Sequence, residues 1–407
     1  MHEYFLDVSQ RLLDITAVVA DEWYNAPDKY TLDYIKEGHS EELVQLALYW
    51  YKRAYSDVDM SQFDTDNDGI IDQIHIVPNF SAPSQAYVSQ VLEDTINKTG
   101  LKVSFFAYIP YAYLPNTHEV PEGVIDTHTF VHETGHMFGL LDYYDPDKVY
   151  NFVGKYDMQS EGVMDWNCFS KYSVGWARPY YVDEDYLKEH KSAKIALSSS
   201  GLNNDCLILR KKGGLGHAFD EYILLELFNP DTPNNYYDTH YSFEDTANLL
   251  NYGVKIFHVD ARACQTYFNE EINHLISETI TKENENRPGT INRNFINNNV
   301  GLVGFRDNED EADMVFQLLQ LLQKGNKNTF GEANTKYNTP RHYLSTLDLW
   351  RTGDTFCIGP HEGYKDYGEN FFTKKTTFDD GSEFPYGIVF DEVTPDVATL
   401  TINYLGE

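Results

Sequence analysis

The stretch HETGHMFGLLDYYD, residues 132–145, carries the pattern on which the fold and chemistry of this chain depend. Residues four apart share one face of a helix, so His132 and His136 can direct imidazole nitrogens to one ion. Glu133 lies beside that face, where it can take a proton from a water molecule that the ion has acidified and pass it to a leaving amine. The spacing therefore predicts a helix over residues 126–138 that holds a catalytic zinc ion.

Three acidic residues downstream are candidates for the third zinc ligand. Gly139, three residues after the second histidine, can end the helix and turn the chain back under the metal. The next polar side chain is Asp142, which extends the motif to HExxHxxGxxD and is the favoured ligand. Asp145 would need a wider turn, and Glu161 would complete a His/His/Glu set from a later segment, as in gluzincins.

A third histidine, His128, precedes His132 by one helical turn. Three imidazoles on one straight helix cannot surround a tetrahedral ion, so we interpret His128 as a neighbour of the site or a core residue. The alternative to a metal site is a surface helix whose histidines face water. Apolar neighbours argue against that alternative, because they would bury the helix. These neighbours are Phe130, Val131, Met137, Phe138 and Leu140.

A second candidate metal site precedes this helix, in the acidic loop DTDNDGIID, residues 64–72. Alternating carboxylates converge on one point, and Gly69 permits the sharp turn, as in the first half of an EF-hand. His75 stands where an EF-hand carries its closing Glu, so a true EF-hand is not supported; the alternative is a solvated acidic turn. A calcium ion here would fix the strand 70–77 against the predicted helix. The expected calcium ligands are Asp64, Asp66, Asp68, the carbonyl of Ile70, and Asp72.

The first half of the chain alternates between helical and extended patterns, which predicts an α/β domain. The sequence predicts a strand over 12–20, a helix over 40–54, a helix-like segment over 84–98 and a strand over 101–108. The last of these is an expected edge strand, along which a peptide could lie as an added strand.

The pattern changes after about residue 185. Strand-like segments separated by turns predict a mostly β second domain, sandwich-like in form. These segments are AKIALSS, DCLILRK, EYILLELF, YGVKIFHVD, YGIVFDEV and ATLTINY. The Asn-rich stretch 283–299 is a predicted loop, and a helix is predicted over 311–322. We therefore predict a catalytic domain over 1–187 and a β-rich domain with a polar insertion over 188–407.

Composition limits the classes of partner. The 64 acidic and 31 basic residues give a formal charge of -33, which repels phosphate backbones, so nucleic acid is not an expected partner. No apolar run is long enough to cross a bilayer.

The four cysteines are Cys168, Cys206, Cys264 and Cys357. They are far apart and form no CxxC pair, which disfavours a zinc site made of cysteines. Up to two disulfides remain possible.

Taken together, these segments resemble the M6, or immune inhibitor A, family of secreted bacterial zinc metallopeptidases. The resemblance rests on HETGHMFGLLDYYD and on YDMQSEGVMDWNCFSKYSVGWARP, which is similar to the family's Met-containing segment and its SK-x-x-x-GW-x-x-P stretch. FDTDNDGIIDQIHIV, EYILLELFNP and GVKIFHVDAR are similar to segments that flank the family's core. The likeness covers most of residues 10–265.

The resemblance implies a metzincin-like α/β zinc peptidase domain with a Met-turn, an apolar floor beneath the zinc ligands. Met158 occupies the matching position, with Met164 as the second choice. A Tyr near the metal often steadies the oxyanion in such enzymes, and here Tyr156 is the candidate and Tyr144 its rival.

The expected function is a secreted zinc-dependent endopeptidase that cleaves peptide bonds in proteins. The resemblance also implies synthesis as a precursor, whose signal and propeptide a chain beginning at MHEYF would lack. One alternative is a non-catalytic calcium-dependent binding or adhesion protein with a vestigial zinc site, which the intact Glu133 disfavours. Another is a gluzincin-type aminopeptidase, which Glu161 as a zinc ligand would favour.

Overall fold

The computed structural model describes most of the chain, in ranges separated by gaps. These are residues 1–29, 31–34, 40–79, 92–93, 102–103, 106–111, 114, 125–140, 142–143, 153–154, 157–160, 162, 164–214, 216–235, 251–261, 264–269, 274–279, 291–293, 318–327, 344–372, 374–379 and 381–406. The chain divides into two compact units. The first comprises Met1–His2 and Asp14–Leu140, and the second comprises Glu3–Leu13 and Leu141–Glu407. This division does not coincide with the predicted domain boundary at 187/188, which stays a prediction.

The helices and strands are numbered in chain order. The helices are α1 (His2–Val8), α2 (Leu32–Tyr34), α3 (Ser40–Ala54), α4 (His128–Met137), α5 (Cys168–Ser173), α6 (Glu184–His190), α7 (Ser200–Asn203) and α8 (Gly368–Phe371), with 3-10 turns at Met60–Phe63 and Thr346–Asp348. The strands are β1 (Ile70–Ile71), β2 (Ile74–Ile76), β3 (Leu92–Glu93), β4 (Lys102–Val103), β5 (Phe106–Tyr108), β6 (Tyr180–Val182), β7 (Ser192–Ser198), β8 (Cys206–Arg210), β9 (Glu221–Phe228), β10 (Gly253–Asp260), β11 (Cys264–Asn269), β12 (His274–Thr279), β13 (Ile291–Arg293), β14 (Leu319–Leu322), β15 (Thr355–Phe356), β16 (Tyr386–Val393) and β17 (Val397–Tyr404).

The first unit combines α3 with short parallel strand pairs. β1 pairs with β4 and β2 pairs with β5, both in parallel, while β3 pairs antiparallel with β4. Val44 and Leu48 lie four residues apart on α3, so they share a face, and they pack with Ile71, Val103 and Phe106 in the core of this unit. The predicted helix over 40–54 is confirmed at both ends.

The second unit contains a five-stranded sheet in the order β14-β10-β9-β8-β6 and a four-stranded sheet in the order β15-β16-β17-β7. The two sheets share one hydrophobic core, to which β9 contributes Leu225, β10 contributes Ile256, β16 contributes Phe390 and β17 contributes Leu400. The six predicted strand segments of this region are all confirmed as β7, β8, β9, β10, β16 and β17.

The opposite face of the five-stranded sheet is also covered. Leu224 of β9 and Phe257 of β10 pack there against Phe169 of α5 and Tyr143. Because both faces are buried, β9 and β10 are buried at every position. This double burial explains why apolar residues occur on both faces of these strands, without the alternation of a half-exposed strand.

Two predicted elements are wrong. Residues 12–20 form no strand, and Val18 and Val19 are largely exposed. The predicted helix over 311–322 is wrong at its described end, where Leu319–Leu322 forms β14 instead and pairs antiparallel with β10. The apolar spacing of that segment fits a helix, but pairing with an existing buried strand overrides local preference.

Other expectations are modified. Leu92–Glu93 is a strand, although a helix was predicted over 84–98, and the rest of that range lies outside the described residues. The predicted strand over 101–108 is divided into β4 and β5. β4 lies between β1 and β3 in its sheet, so the prediction that residues 101–108 form an edge strand is wrong at β4. Within the Asn-rich stretch, the described residues 291–293 form β13, which pairs with β11.

Within the described ranges, none of the helices combines the length and the apolar character that a membrane span requires.

Candidate active site

Helix α4 brings together the three residues that the sequence predicted to share a zinc site. One ligand atom from each of His132, Glu133 and His136 lies within 4.8 Å of the others, and we call this set the helix group. The ring centroids of the two histidines are 4.8 Å apart. His132 is 7% exposed and Glu133 is 5% exposed, whereas His136 is half-buried, so this is not a helix on which all three side chains face water.

The C-terminal turn of α4 fixes the orientation of His136. Gly139 adopts a φ of +83°, which favours glycine, and the Leu140 N–H donates to the Gly135 carbonyl at 3.2 Å, closing a Schellman turn. The Leu140 carbonyl accepts a hydrogen bond from His136 Nδ1 at 2.8 Å. A carbonyl can only accept, so Nδ1 carries the proton and Nε2 is left as the metal-binding atom. The prediction that Gly139 ends the helix is confirmed.

The N-terminal half of α4 is tied to the strand that follows the acidic loop. Gln73 Nε2 donates to Thr134 Oγ1 at 2.9 Å, and the His75 ring stacks on Phe130 with centroids 5.3 Å apart. Burial lowers the pKa of His75 to about 4, so this ring is neutral near pH 7 and packs as an apolar group. The helix that carries the candidate ligands is therefore held by Gln73, which follows the acidic loop, and by His75 of β2.

His128 lies at the first position of α4, where its N–H donates to Asp126 Oδ1 at 2.8 Å. Its ring centroid is 6.0 Å from that of His132, and it does not belong to the helix group. The interpretation of His128 as a neighbour rather than a ligand fits this geometry.

The remaining predicted site residues fall outside the first unit or outside the described ranges. Asp142 is half-buried and belongs to the second unit, as do Met158 and Met164, which are 2% and 1% exposed. The third zinc ligand and the Met-turn stay predictions. The described ranges do not include Tyr144, Asp145, Tyr156 and Glu161.

The acidic loop brings three of its carboxylates together. Ligand oxygens of Asp64, Asp66 and Asp72 lie within 4.8 Å of one another. Asp68 is not part of this set, and its Oδ1 accepts a hydrogen bond from the Ile70 N–H at 2.8 Å.

The sharp turn that was expected at Gly69 is present. Gly69 has a φ of +87° and Asn67 has a φ of +60°, both in the left-handed region. The Gly69 N–H donates to Asp64 Oδ2 at 3.0 Å, which draws the buried carboxylate into the bend.

The donor atoms of the two sites suit different ions. Two imidazoles beside a carboxylate form the nitrogen-rich set that zinc prefers, and two of these three side chains are buried. The loop offers oxygen ligands at a partly exposed position, which is the set that calcium prefers. The zinc and calcium predictions are therefore compatible with the residues at each site.

Three of the four cysteines, Cys168, Cys206 and Cys357, are buried thiols that form no disulfide. Burial is the largest cause that raises the pKa of Cys168, and it raises the pKa of Cys357 to about 12. Cys168 and Cys357 therefore remain protonated near neutral pH, and all three buried cysteines act as core residues. The fourth, Cys264, is described only through its backbone in β11.

No protein-family model matches this chain, and a comparison with curated proteins finds no similar one.

Proposed function

We propose that this chain is a zinc-dependent endopeptidase, in which His132 and His136 bind the zinc ion and Glu133 is the general base. The observation that carries the proposal is that one ligand atom from each of these three side chains lies within 4.8 Å of the others, with His132 and Glu133 buried and His136 half-buried. The proposal also draws on the resemblance of the sequence to the secreted M6 peptidases. It gives the chain a metzincin-like domain followed by a β-rich domain.

Each residue of the helix group has a separate task. A zinc ion held there would polarise the scissile carbonyl and lower the pKa of a water molecule. Glu133 accepts a proton from that water and passes it to the leaving amine. The hydrogen bond from His136 to the Leu140 carbonyl holds the imidazole in one tautomer and one orientation. Asp142 as third ligand and Tyr156 as oxyanion donor complete the proposed set.

The proposal gives the acidic loop a supporting role. Calcium bound by Asp64, Asp66 and Asp72 would fix the loop that leads directly into β1. The next residues contact α4 through Gln73 and His75, so a fixed loop would also hold the helix in place. The ion would stabilise the site and take no part in the chemistry.

Cleavage of unfolded casein by the full chain tests the proposal. We expect internal cuts, identified by mass spectrometry of the products, that a zinc chelator stops and added zinc restores. The variant His132→Ala should not cut, and His190→Ala is its matched control, because His190 is an exposed histidine at the end of α6 and should cut as the unchanged protein does.

Two other outcomes would overturn the proposal. A zinc-loaded protein that cuts nothing would favour a calcium-dependent binding protein. Release of amino-terminal residues alone would favour an aminopeptidase.

A further inference from the structure

Tyr143 directly follows Asp142, the proposed third zinc ligand, and is buried more deeply than that residue. Tyr143 is 1% exposed, whereas Asp142 is half-buried. The Tyr143 ring packs in the core on the α5 face of the five-stranded sheet, in the same cluster as Phe169 and Leu224. Successive Cα atoms are held a fixed distance apart by the planar peptide bond. The groups that hold Tyr143 therefore also restrain the backbone of Asp142.

The backbone of Tyr143 is attached to the segment that carries the predicted Met-turn. Its N–H donates a hydrogen bond to the Gln159 carbonyl at 2.6 Å. Gln159 is 0% exposed and is itself held on both sides. Its N–H donates to Asp157 Oδ1 at 2.8 Å, and its Oε1 accepts the Trp166 indole N–H at 3.1 Å. This first attachment therefore joins Tyr143 to a fully buried segment.

The side chain of Tyr143 makes a second attachment, to α5. Its hydroxyl is hydrogen-bonded to Ser170 Oγ, and both residues are buried. The Ser170 N–H donates to Oδ1 of Asn167, the N-cap of this helix, at 3.1 Å. Asn167 in turn donates its N–H and its side-chain amide to Asp157 Oδ2, at 2.8 and 2.6 Å. The two attachments of Tyr143 therefore meet at one carboxylate, that of Asp157.

We propose that Tyr143 is a positioning residue for zinc binding, which acts by fixing the backbone of Asp142 through these two attachments. The inference rests on the proposed function, in which Asp142 is the third zinc ligand. An Asp side chain has one methylene between its backbone and its carboxylate, so the place of the backbone largely decides where the oxygens can lie. Ligands held in advance by the groups behind them bind a metal more tightly than ligands on a free segment.

The alternative is that Tyr143 only fills the core. A second tyrosine of the same cluster, Tyr222 of β9, provides the comparison. Tyr222 is 2% exposed, and its hydroxyl donates to the Ala218 carbonyl at 3.0 Å. It has a similar environment and also makes a hydroxyl hydrogen bond, but it is not next to a proposed ligand in the chain. Tyr222→Phe is therefore the matched control for Tyr143→Phe.

The test measures the zinc dissociation constant of the full chain by competition with a chelator, with calcium present to fill the acidic loop. Tyr143→Phe removes the bond to Ser170 and should weaken zinc binding by about 10-fold, the lower end of the effect of groups that orient metal ligands. Tyr222→Phe should keep the affinity of the unchanged protein. Urea titration of both variants shows whether they lose similar stability, which a role in packing alone would also produce.

Ser170→Ala removes the same hydrogen bond from the side of α5 and serves where Tyr143→Phe does not fold. It should weaken zinc binding as much as Tyr143→Phe does, and the double variant should lose no more than either single one. Unchanged zinc affinity in the folded variants would overturn the inference. An equal loss of affinity in Tyr222→Phe would also overturn it, because the effect would then follow stability alone.

The same titration separates this inference from the proposed function. An unchanged chain that binds no zinc would overturn both. A chain from which His132→Ala removes zinc, but in which Tyr143→Phe and Ser170→Ala leave the affinity unchanged, would retain the proposed zinc site and overturn the role of Tyr143 alone.

Discussion

The helix group differs from the buried set of Glu221, His258 and Asp379, which we call the sheet group, in the length of chain that assembles it. The helix group lies within five consecutive residues of α4. In the sheet group, His258 is 37 residues from Glu221, and Asp379 is 158 residues from Glu221. The first set is placed by one helix and its C-terminal turn, whereas the second exists only when β9, β10 and the segment before β16 have come together.

This difference determines whether a variant in each group can change its chemistry without also changing the fold. Variants in the helix group should alter metal binding and activity while the fold persists, because the hydrogen bonds of α4 do not depend on the side chains. The sheet group depends on the fold itself, because its side chains come from distant segments that meet only after those segments have packed together.

The largest expected effect comes from a buried charge pair in the second unit. Lys171 is 0% exposed, and its Nζ lies 2.5 Å from Asp165 Oδ2. Lys171→Met leaves Asp165 buried without its cation and should lower the free energy of unfolding by about 3–5 kcal/mol, measured by urea titration. The double variant Lys171→Met/Asp165→Leu should recover most of that loss.

The matched control for this prediction is an exposed pair. Lys375 and Glu369 form an ion pair of which both side chains are more than half exposed. Lys375→Met should cost at most about 1 kcal/mol. Equal losses at the two pairs would contradict the view that buried charges govern the stability of the second unit.

A smaller effect is expected at the acidic loop. Calcium at about a hundred times its dissociation constant should stabilise the unchanged protein by about 2.7 kcal/mol, detected as a rise in melting temperature. Asp66→Asn/Asp72→Asn should remove this rise, whereas the exposed control Asp396→Asn should keep it. A calcium response that survives in the loop variant would place the ion elsewhere.

The His75 ring should make stability depend on pH. Burial lowers its folded-state pKa to about 4, below the ordinary value of 6.5, so the unfolded chain binds more protons between these values. This contribution is present above pH 6.5 and is lost as the pH falls towards 4. His75 is only half-buried, so we expect a loss of about 1–3 kcal/mol.

Urea titrations at several pH values measure this contribution. The variant His75→Gln should flatten the dependence between pH 4 and 6.5, and His190→Gln, at an exposed position, should leave it unchanged. An identical pH profile for the His75 variant and the unchanged protein would show that the ring does not titrate in this way.

The smallest effect is expected at the end of α4. Gly139→Ala places a side chain at a φ of +83° in otherwise open space, so the cost is backbone strain of about 1 kcal/mol. The variant should also weaken zinc binding, because the turn positions the carbonyl that orients His136. Gly325→Ala is the control, since its added Cβ also meets open space and its φ is not left-handed. Two equal changes in unfolding free energy would contradict the role of this turn.

The parts of the molecule that could be predicted from sequence are those set by local chemistry. The spacing of His132 and His136 predicts a shared helix face whatever the tertiary structure, and Gly139 marks the end of that helix. The strands of the second unit were predictable because β-branched and large apolar residues occur in short runs bounded by turns. The predicted strand over 12–20 carried a similar composition and was wrong, because no other strand pairs with it in the described residues.

The sheet group was not predicted, although a signal was present. The segments EYILLELF and GVKIFHVD each place charged residues at the same end of β9 and β10. Only the register of the two strands shows that Glu221, His258 and Asp260 share the buried face, and only the tertiary fold adds Asp379. The same dependence on distant partners explains why Leu319–Leu322 is a strand.

The central claim is tested most directly by a comparison of casein cleavage and zinc content between the unchanged protein and Glu133→Gln. Gln keeps the shape of the side chain but cannot accept the water proton, so the account predicts retained zinc and a cleavage rate lower by about 10²–10⁴-fold. A Glu133→Gln variant that retains zinc and cuts casein at the unchanged rate would contradict the account.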